Sequence, residues 1–153
     1  MSDNMYVAPQ AALEEAGSAT GALYSPMQAS AGAFLGGPVG LIYFLYRNFV
    51  VLGKKSEART ALMLGAALIV ALWVILPILP QKMSGVPFTV AYLVTARLVV
   101  EKYQLTKQAI ASSTQYTFQS NWNVFGMGLL CLLGSLALII GPYVVLYALG
   151  VLK

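Results

Sequence analysis

Two opposite charges, Arg97 and Glu101, stand four residues apart next to an apolar segment. On a helix this spacing brings both side chains to one face, where they can form an ion pair. An ion pair deep in a membrane indicates an ion or proton pathway. At the membrane surface, a long side chain such as arginine simply extends to the headgroups. Because the pair follows only a short uncharged run, the sequence predicts an interfacial depth.

Nucleophilic or acid–base chemistry has few candidate residues in this chain. It contains no histidine and five carboxylates, whereas acid–base catalysis needs polar groups that converge on one site. A pair of Ser112 or Ser113 with Lys107, near Tyr103, is conceivable, but no motif supports it. Cys131 stands alone in an apolar run, and the ligand spacings of zinc sites do not occur. We predict a protein that is not an enzyme and holds no metal or other cofactor.

Long uncharged stretches must position these few groups. Charged residues make up only 9% of the chain, against about 25% in soluble domains, and the mean hydropathy is +0.76. About 20 apolar residues in a helix cross the hydrocarbon of a bilayer. The composition therefore predicts an all-α integral membrane bundle of about four spans. The spans are predicted at residues 27–49, 60–79, 87–107 and 124–152.

The charges outside these spans predict how the chain is oriented. Residues 1–25 have the composition of a polar, mildly acidic tail, and residues 26–153 form the helical membrane domain. Four bases against one acid lie at residues 47–59, and further bases follow at 97–107. The positive-inside rule makes both basic loops cytoplasmic, and four spans then place both termini in the periplasm of a bacterium. The net charge of +4 is explained by orientation rather than by nucleic-acid binding.

The third segment, residues 87–107, has two interpretations. Only residues 83–96 are free of charge before Arg97, which is short for a span. The segment either crosses with Arg97 extended to the inner interface or lies on the surface as an amphipathic helix. Crossing places Arg97, Lys102 and Lys107 on the same side as the first basic loop, so a short, amphipathic third span is favoured.

The first span combines signals for helix packing and helix breaking. Gly32, Gly36 and Gly40 recur every four residues, which gives a continuous helix one small face for close contact. Pro38 directly follows Gly37 and removes a backbone hydrogen bond, so the helix should kink or break. Three interpretations stay open. A kinked packing helix is favoured, and the others are a discontinuous helix that lines an ion or solute site and an in-plane or re-entrant hairpin.

The last span carries related signals. Pro142 predicts a kink, and Cys131 and Ser135 form a second small-residue pair, which should pack on the glycine face of the first helix. The preceding residues 111–123 are polar and uncharged. Aromatic and polar residues alternate over residues 116–118, which allows a short extended segment there.

Several different short motifs lie in the middle of the chain. They are Ala-Phe-Leu-Gly-Gly-Pro at residues 33–38, then Asn48-Phe49 with Leu52-Gly53 and Ala58-Arg59, and later Ser120-Asn121-Trp122. Together, over about two thirds of the chain, they resemble a group of small bacterial multi-span inner-membrane proteins with this type of first span. The resemblance implies a helical fold in a bacterial inner membrane. It implies no activity and no catalytic residue.

Three functional hypotheses follow. The first is an accessory, scaffold or interaction subunit that binds another membrane protein or a second copy of itself. The alternative is a small oligomeric transporter or channel whose pathway is the broken helix at Gly36, Gly37 and Pro38, with Arg97 and Glu101 as its charged groups. A lipid-modifying enzyme is the third. The predicted partners are the lipid bilayer and a membrane protein, not nucleic acid.

Overall fold

The computed structural model describes residues 21–80, 82 and 84–150. This part of the chain is mostly helical, as predicted. Its elements are β1 (Gly21–Leu23), α1 (Pro26–Val51), α2 (Lys55–Ile75) with a 3-10 turn at Leu76–Ile78, α3 (Val86–Tyr103), α4 (Lys107–Ala111), β2 (Tyr116–Phe118) and α5 (Asn121–Ala148). The extended segment allowed by the sequence at residues 116–118 is strand β2.

Three stretches are long and apolar enough to cross a membrane. They are Pro26–Val51, Lys55–Ile78 and Asn121–Ala148, and they overlap three of the four predicted spans. Helix α3 has 18 residues and does not belong to this set, so its prediction as a short, amphipathic span stays a prediction. Length and composition identify these three stretches, but the path of the chain decides which of them runs through the bundle.

Helix α1 is a helical hairpin of two arms, residues 26–36 and residues 38–51. Ser25 caps the first arm, since its hydroxyl accepts the backbone N–H of the third helical residue. The arms are separated at Gly37, with a φ of 61° and a ψ of −147°, a backbone region that is essentially restricted to glycine. Pro38 follows and has no N–H to continue the first arm. The chain therefore reverses direction at this point.

The contacts between the two arms are antiparallel. At the open end, the Tyr24 N–H donates to Asn48 Oδ1 at 2.9 Å, and Asn48 Nδ2 donates to the Tyr24 carbonyl at 2.8 Å. Nearer the turn, the ring of Phe44 fills the place of a side chain on Gly32, and a Cβ on Gly40 would lie 2.7 Å from the Gly32 carbonyl oxygen. Glycine at positions 32 and 40 thus allows the arms to lie against each other.

The prediction of a single crossing over residues 27–49 is therefore wrong. The two ends of the segment meet, and of the three interpretations the hairpin is the observed one. At about 1.5 Å per residue the arms are about 16 and 21 Å long, which is about one half and two thirds of the roughly 30 Å of hydrocarbon in a bilayer. The glycine and proline signal was read correctly as a break, but the break produces a reversal rather than a kink.

The other long helices surround the hairpin. We call the end of the bundle that carries β1, β2 and residues 52–54 the basic end, and the end at Leu76–Ile78 the far end. Helix α2 leaves the basic end and α3 returns to it, where Lys54 Nζ donates to the Tyr103 carbonyl at 2.7 Å. Helices α2 and α3 are thus antiparallel and span the same length of the bundle.

Helix α5 also runs from the basic end to the far end. Strands β1 and β2 pair in parallel, so the first arm of α1 and helix α5 start side by side. At the far end, Trp73 Nε1 donates to the Leu138 carbonyl at 2.8 Å. The helix continues through Pro142 without interruption, so this proline does not break the helix. The kink predicted at this position stays a prediction.

This path changes the predicted placement of the termini. Gly21 lies at the basic end and Ala148 lies toward the far end, so the chain does not enter and leave on one side as four crossings would require. Residues 1–20 and 151–153 lie outside the described part. The acidic tail stays a prediction for residues 1–20, whereas residues 21–23 form a strand.

The core of the bundle is the hairpin itself. In the most apolar windows, 56% of the residues of α1 are buried, against 11% in α2 and in α5. The outer helices instead expose large apolar side chains, among them Met63, Leu64, Val74, Leu130, Leu133 and Tyr147. Helices that are apolar all round in this way are typical of lipid surroundings.

Candidate functional site

Polar groups of the hairpin converge on Asn48 at the basic end. Its side chain is 2% exposed and pairs with both the N–H and the carbonyl of Tyr24. It also donates to Gln104 Oε1 at 2.7 Å, and Gln104 Nε2 donates to the Leu45 carbonyl at 3.0 Å. One amide therefore joins the segment after β1, the second arm and the end of α3.

A second set of hydrogen bonds ties the first arm to α5. The Tyr24 hydroxyl donates to Asn123 Oδ1 at 2.6 Å. Burial raises the pKa of Tyr24 to about 12, so the phenol stays protonated and remains a donor at neutral pH. Gln28 Nε2 donates to the Gln119 carbonyl at 2.6 Å and to Asn121 Oδ1 at 2.8 Å. These contacts fix the open end of the hairpin to the start of α5.

At the other end of the hairpin, Ser135 of α5 binds the backbone groups that the break releases. Its hydroxyl donates to the Gly36 carbonyl at 2.6 Å and accepts the Val39 N–H at 3.2 Å. The side chain is 5% exposed. In hydrocarbon, an unpaired backbone group costs several kcal/mol. Ser135 therefore permits the chain to reverse inside the bundle.

The structure brings some of the predicted packing residues together and separates others. Gly36 lies against α5, where a Cβ would be 2.7 Å from the Cβ of Cys131, and it accepts the hydrogen bond from Ser135. Gly32 and Gly40 instead face each other inside the hairpin. The predicted single glycine face is wrong, because the turn after Gly36 puts Gly40 on the other arm.

Arg97 and Glu101 form the predicted ion pair, with Nε and Oε1 2.9 Å apart. Their side chains are 61% and 41% exposed, on the outer surface of α3. The structure does not bring the pair to the break at Gly37. The two features of the transporter hypothesis therefore lie apart in the bundle.

The candidates for nucleophilic chemistry have local roles in the chain. Ser112 Oγ donates to the Gln108 carbonyl at 3.0 Å, and Ser113 Oγ accepts the N–H groups of Gln115 and Tyr116, each at 3.1 Å. Both serines thereby shape the turn before β2. Within the residues that the structure describes, no three His, Cys, Asp or Glu side chains come together as a metal site would require.

A groove of about 480 Å³ lies between α2 and α3, with the second arm of the hairpin beneath it. Its lining is mainly aliphatic and includes Leu45, Leu68 and Val99. Polar lining groups include Thr60 and Tyr103, which is the last residue of α3. No pattern in the sequence predicts this groove.

Sequence reasoning also missed Asn48 and its partners. The available signal was an uncharged amide within a run of apolar and aromatic residues, because a polar side chain in such a run must find a partner. Asn48 carries that signal. Gln104 stands among charged residues and does not carry it, and the pairing of the two amides depends on how distant segments fold together. The charges and glycines are the stronger signals in this sequence, and they do not indicate a role for these amides.

Comparison with family models, with curated proteins and with solved structures finds no match to this chain. The resemblance to small bacterial inner-membrane proteins therefore stays a prediction. The hairpin, the groove and the surfaces of the outer helices are the features from which a function can be inferred.

Proposed function

We propose that this chain is a small, non-enzymatic integral membrane protein that acts as an accessory or scaffold subunit by binding another membrane protein. The observation that carries the proposal is how its polar and apolar groups are distributed. Among the described residues, every buried side-chain nitrogen or oxygen has a hydrogen-bond partner, and these groups hold the hairpin in place. The outer helices offer apolar faces instead, which suit contact with lipid and with other membrane helices.

The proposal includes a revised orientation. Lys54, Lys55, Arg59, Lys102 and Lys107 belong to or flank the segments at the basic end, which makes that end cytoplasmic by the positive-inside rule. Helices α2, α3 and α5 then cross a bacterial inner membrane, while α1 enters and returns. Three crossings put the two termini on opposite sides, with the amino-terminal side in the cytoplasm.

Cysteine labelling tests this orientation. In a Cys131→Ala background, Met27→Cys and Lys55→Cys should react with an impermeant maleimide from the same membrane face, and Lys82→Cys from the opposite face. The hairpin returns the chain to its starting side, which is the physical reason for this result. If residue 27 instead labels from the same side as residue 82, α1 crosses the membrane and the orientation is wrong.

One stripe of α5 is a suitable contact surface for a partner. Gly126, Leu130, Leu133 and Gly141 follow one another at helical spacing. The two leucines are 60% and 63% exposed, and a Cβ at either glycine would meet nothing within 4 Å. Exposed glycines beside protruding leucines give a surface that another helix can approach closely.

The test is purification of the tagged protein from native membranes in mild detergent, with sizing and mass spectrometry of what it carries. Gly126→Leu with Gly141→Leu should reduce the recovery of a stoichiometric partner about tenfold, equivalent to about 1.4 kcal/mol. Gly85→Leu is the matched control, since its site is equally open but lies outside the stripe. Gly36 and Gly40 are unsuitable probes because side chains there would collide within the bundle.

Two results would contradict the scaffold proposal. One is a wild-type protein that is recovered alone. The other is a partner that the stripe variants retain as fully as Gly85→Leu does.

A transporter is the second candidate, and the helix break at Gly37 favours it. It predicts loss of flux in Arg97→Ala and Glu101→Gln at normal abundance, whereas a scaffold tolerates both changes.

A further inference from the structure

The groove between α2 and α3 opens onto the outer surface of the bundle. Both helices pack on the hairpin far more extensively than on each other, so the second arm forms the floor between them. Gly65 of α2 lies directly against Ile42 of that arm, where any Cβ would collide with the Ile42 side chain. The close approach of α2 at this point and the separation of α2 from α3 together produce the groove.

The groove is chemically different at its two ends. Leu41, Leu64 and Leu68 make its walls and floor aliphatic over most of its length. At the basic end the lining includes Glu57 and Tyr103, which lie near the start of α2 and at the end of α3. A molecule that fills the groove should therefore be apolar along its length and polar at the end that lies here.

Two ammonium groups accompany Tyr103 at that polar end. Lys54 Nζ donates to the Tyr103 carbonyl at 2.7 Å, and Lys102 Nζ lies 5.4 Å from the centre of the Tyr103 ring. Glu57 is the acid in the lining, and Arg59 follows it closely in the chain. The two lysines lie beside the groove rather than in its lining, and the other acid of this end, Glu101, is paired with Arg97. The bases at this rim of the groove therefore still outnumber the acids, which makes the rim complementary to an anion.

From this arrangement we propose that the groove binds one acyl chain of an anionic phospholipid, whose phosphate is held at Lys54 and Lys102. The volume of about 480 Å³ lies within the range of about 300–1,000 Å³ that is usual for ligand sites. Each methylene buried against the aliphatic walls favours binding, and basic side chains at a membrane surface attract anionic headgroups. A helix of a partner protein would match the walls but would leave the cationic rim without an anion.

The proposal rests on the membrane placement given above but not on the existence of a protein partner. It is tested on the purified full-length protein in detergent by native mass spectrometry, titrated with a phosphatidylglycerol that carries two 16-carbon chains. The comparison lipid is a phosphatidylcholine with the same chains. Failure of the scaffold proposal leaves this titration unaffected, so the two failures are distinguishable.

The first set of variants fills the groove with a larger side chain. Thr95 lines it from α3, and Thr95→Trp should weaken phosphatidylglycerol binding at least about tenfold by occupying the space of the chain. The neighbouring Val94 is exposed and does not line the groove, so Val94→Trp should bind as the wild type does. Equal affinities of these two variants would overturn the site.

The second set of variants removes the two ammonium groups. Lys54→Gln with Lys102→Gln should weaken phosphatidylglycerol binding about fivefold for each lysine. It should weaken phosphatidylcholine binding less, because the choline cation already offsets the charge of the phosphate. Lys82→Gln removes the same charge beyond the far end and should have no effect. Equal affinities of the wild type for the two lipids would contradict the proposed preference for an anionic headgroup.

Two further outcomes are decided by the same data. A dimer peak that Thr95→Trp abolishes while lipid binding persists would mean that a second copy covers the groove, which overturns the lipid proposal. If circular dichroism shows that Thr95→Trp is unfolded, Ala61→Phe fills the groove from α2 instead. Its control is Ala66→Phe, at an exposed position of the same helix outside the lining.

Discussion

Replacing Asn48 with leucine should destabilise the protein by about 3 kcal/mol or more, since a buried polar group left without its partner costs about 1–3 kcal/mol. The leucine keeps the approximate volume of the side chain but leaves the N–H and the carbonyl of Tyr24 unpaired, together with Oε1 of Gln104. All three groups are at the open end of the hairpin. The measurement is unfolding of the purified protein in detergent, followed by circular dichroism.

The control for this substitution is Asn123→Ala at the same end of the bundle. It removes a single, part-buried hydrogen bond from the Tyr24 hydroxyl, so it should cost only about 1 kcal/mol. If the two variants unfold alike, the amide of Asn48 does not hold the arms together. In that case the packing of Phe44 against Gly32 and Tyr24 would have to account for the closure.

The hairpin shows how far the sequence alone leads. Gly37 and Pro38 predict a break because their backbone preferences are local. The direction that the chain takes afterwards depends on Ser135, which stands about a hundred residues later. Small residues on one arm predict close packing in the same way, but they do not say whether the neighbour is the other arm or another helix. The break was therefore predictable, and the reversal remained one of three alternatives.

Other features divide along the same line. The Arg97–Glu101 pair follows from spacing within one helix and is present. The pattern of residues 116–118 indicates a short strand, but its parallel pairing with residues 21–23 joins two segments that are distant in the sequence. The groove likewise depends on three segments of α1, α2 and α3. Features that need several distant segments were missed because no local pattern carries them.

A second large loss of stability is expected at the closed end of the hairpin. Ser135→Ala should cost about 2–5 kcal/mol, because the Gly36 carbonyl and the Val39 N–H both lose their partner in an apolar surrounding. The measurement is again unfolding in detergent.

Gly37→Ala tests the backbone at the same place. Its cost combines about 1–3 kcal/mol of strain at positive φ with contact between the new Cβ and Ser135 Oγ, which would be 3.3 Å apart. Gly53→Ala is the matched control, because Gly53 also has a positive φ, of 71°, but a Cβ there would meet nothing within 4 Å. Gly37→Ala should therefore be clearly more destabilising than Gly53→Ala.

The double variant Gly37→Ala with Ser135→Ala separates the two effects. Removal of the hydroxyl relieves the contact with the new methyl group, so the combined cost should be smaller than the sum of the two single costs. Strict additivity would mean that the serine and the turn act independently, and that the hydroxyl is not what secures the reversal. A cost below the sum would show that α5 and the hairpin form one cooperative unit, in which the turn is stable only when the last helix is packed against it.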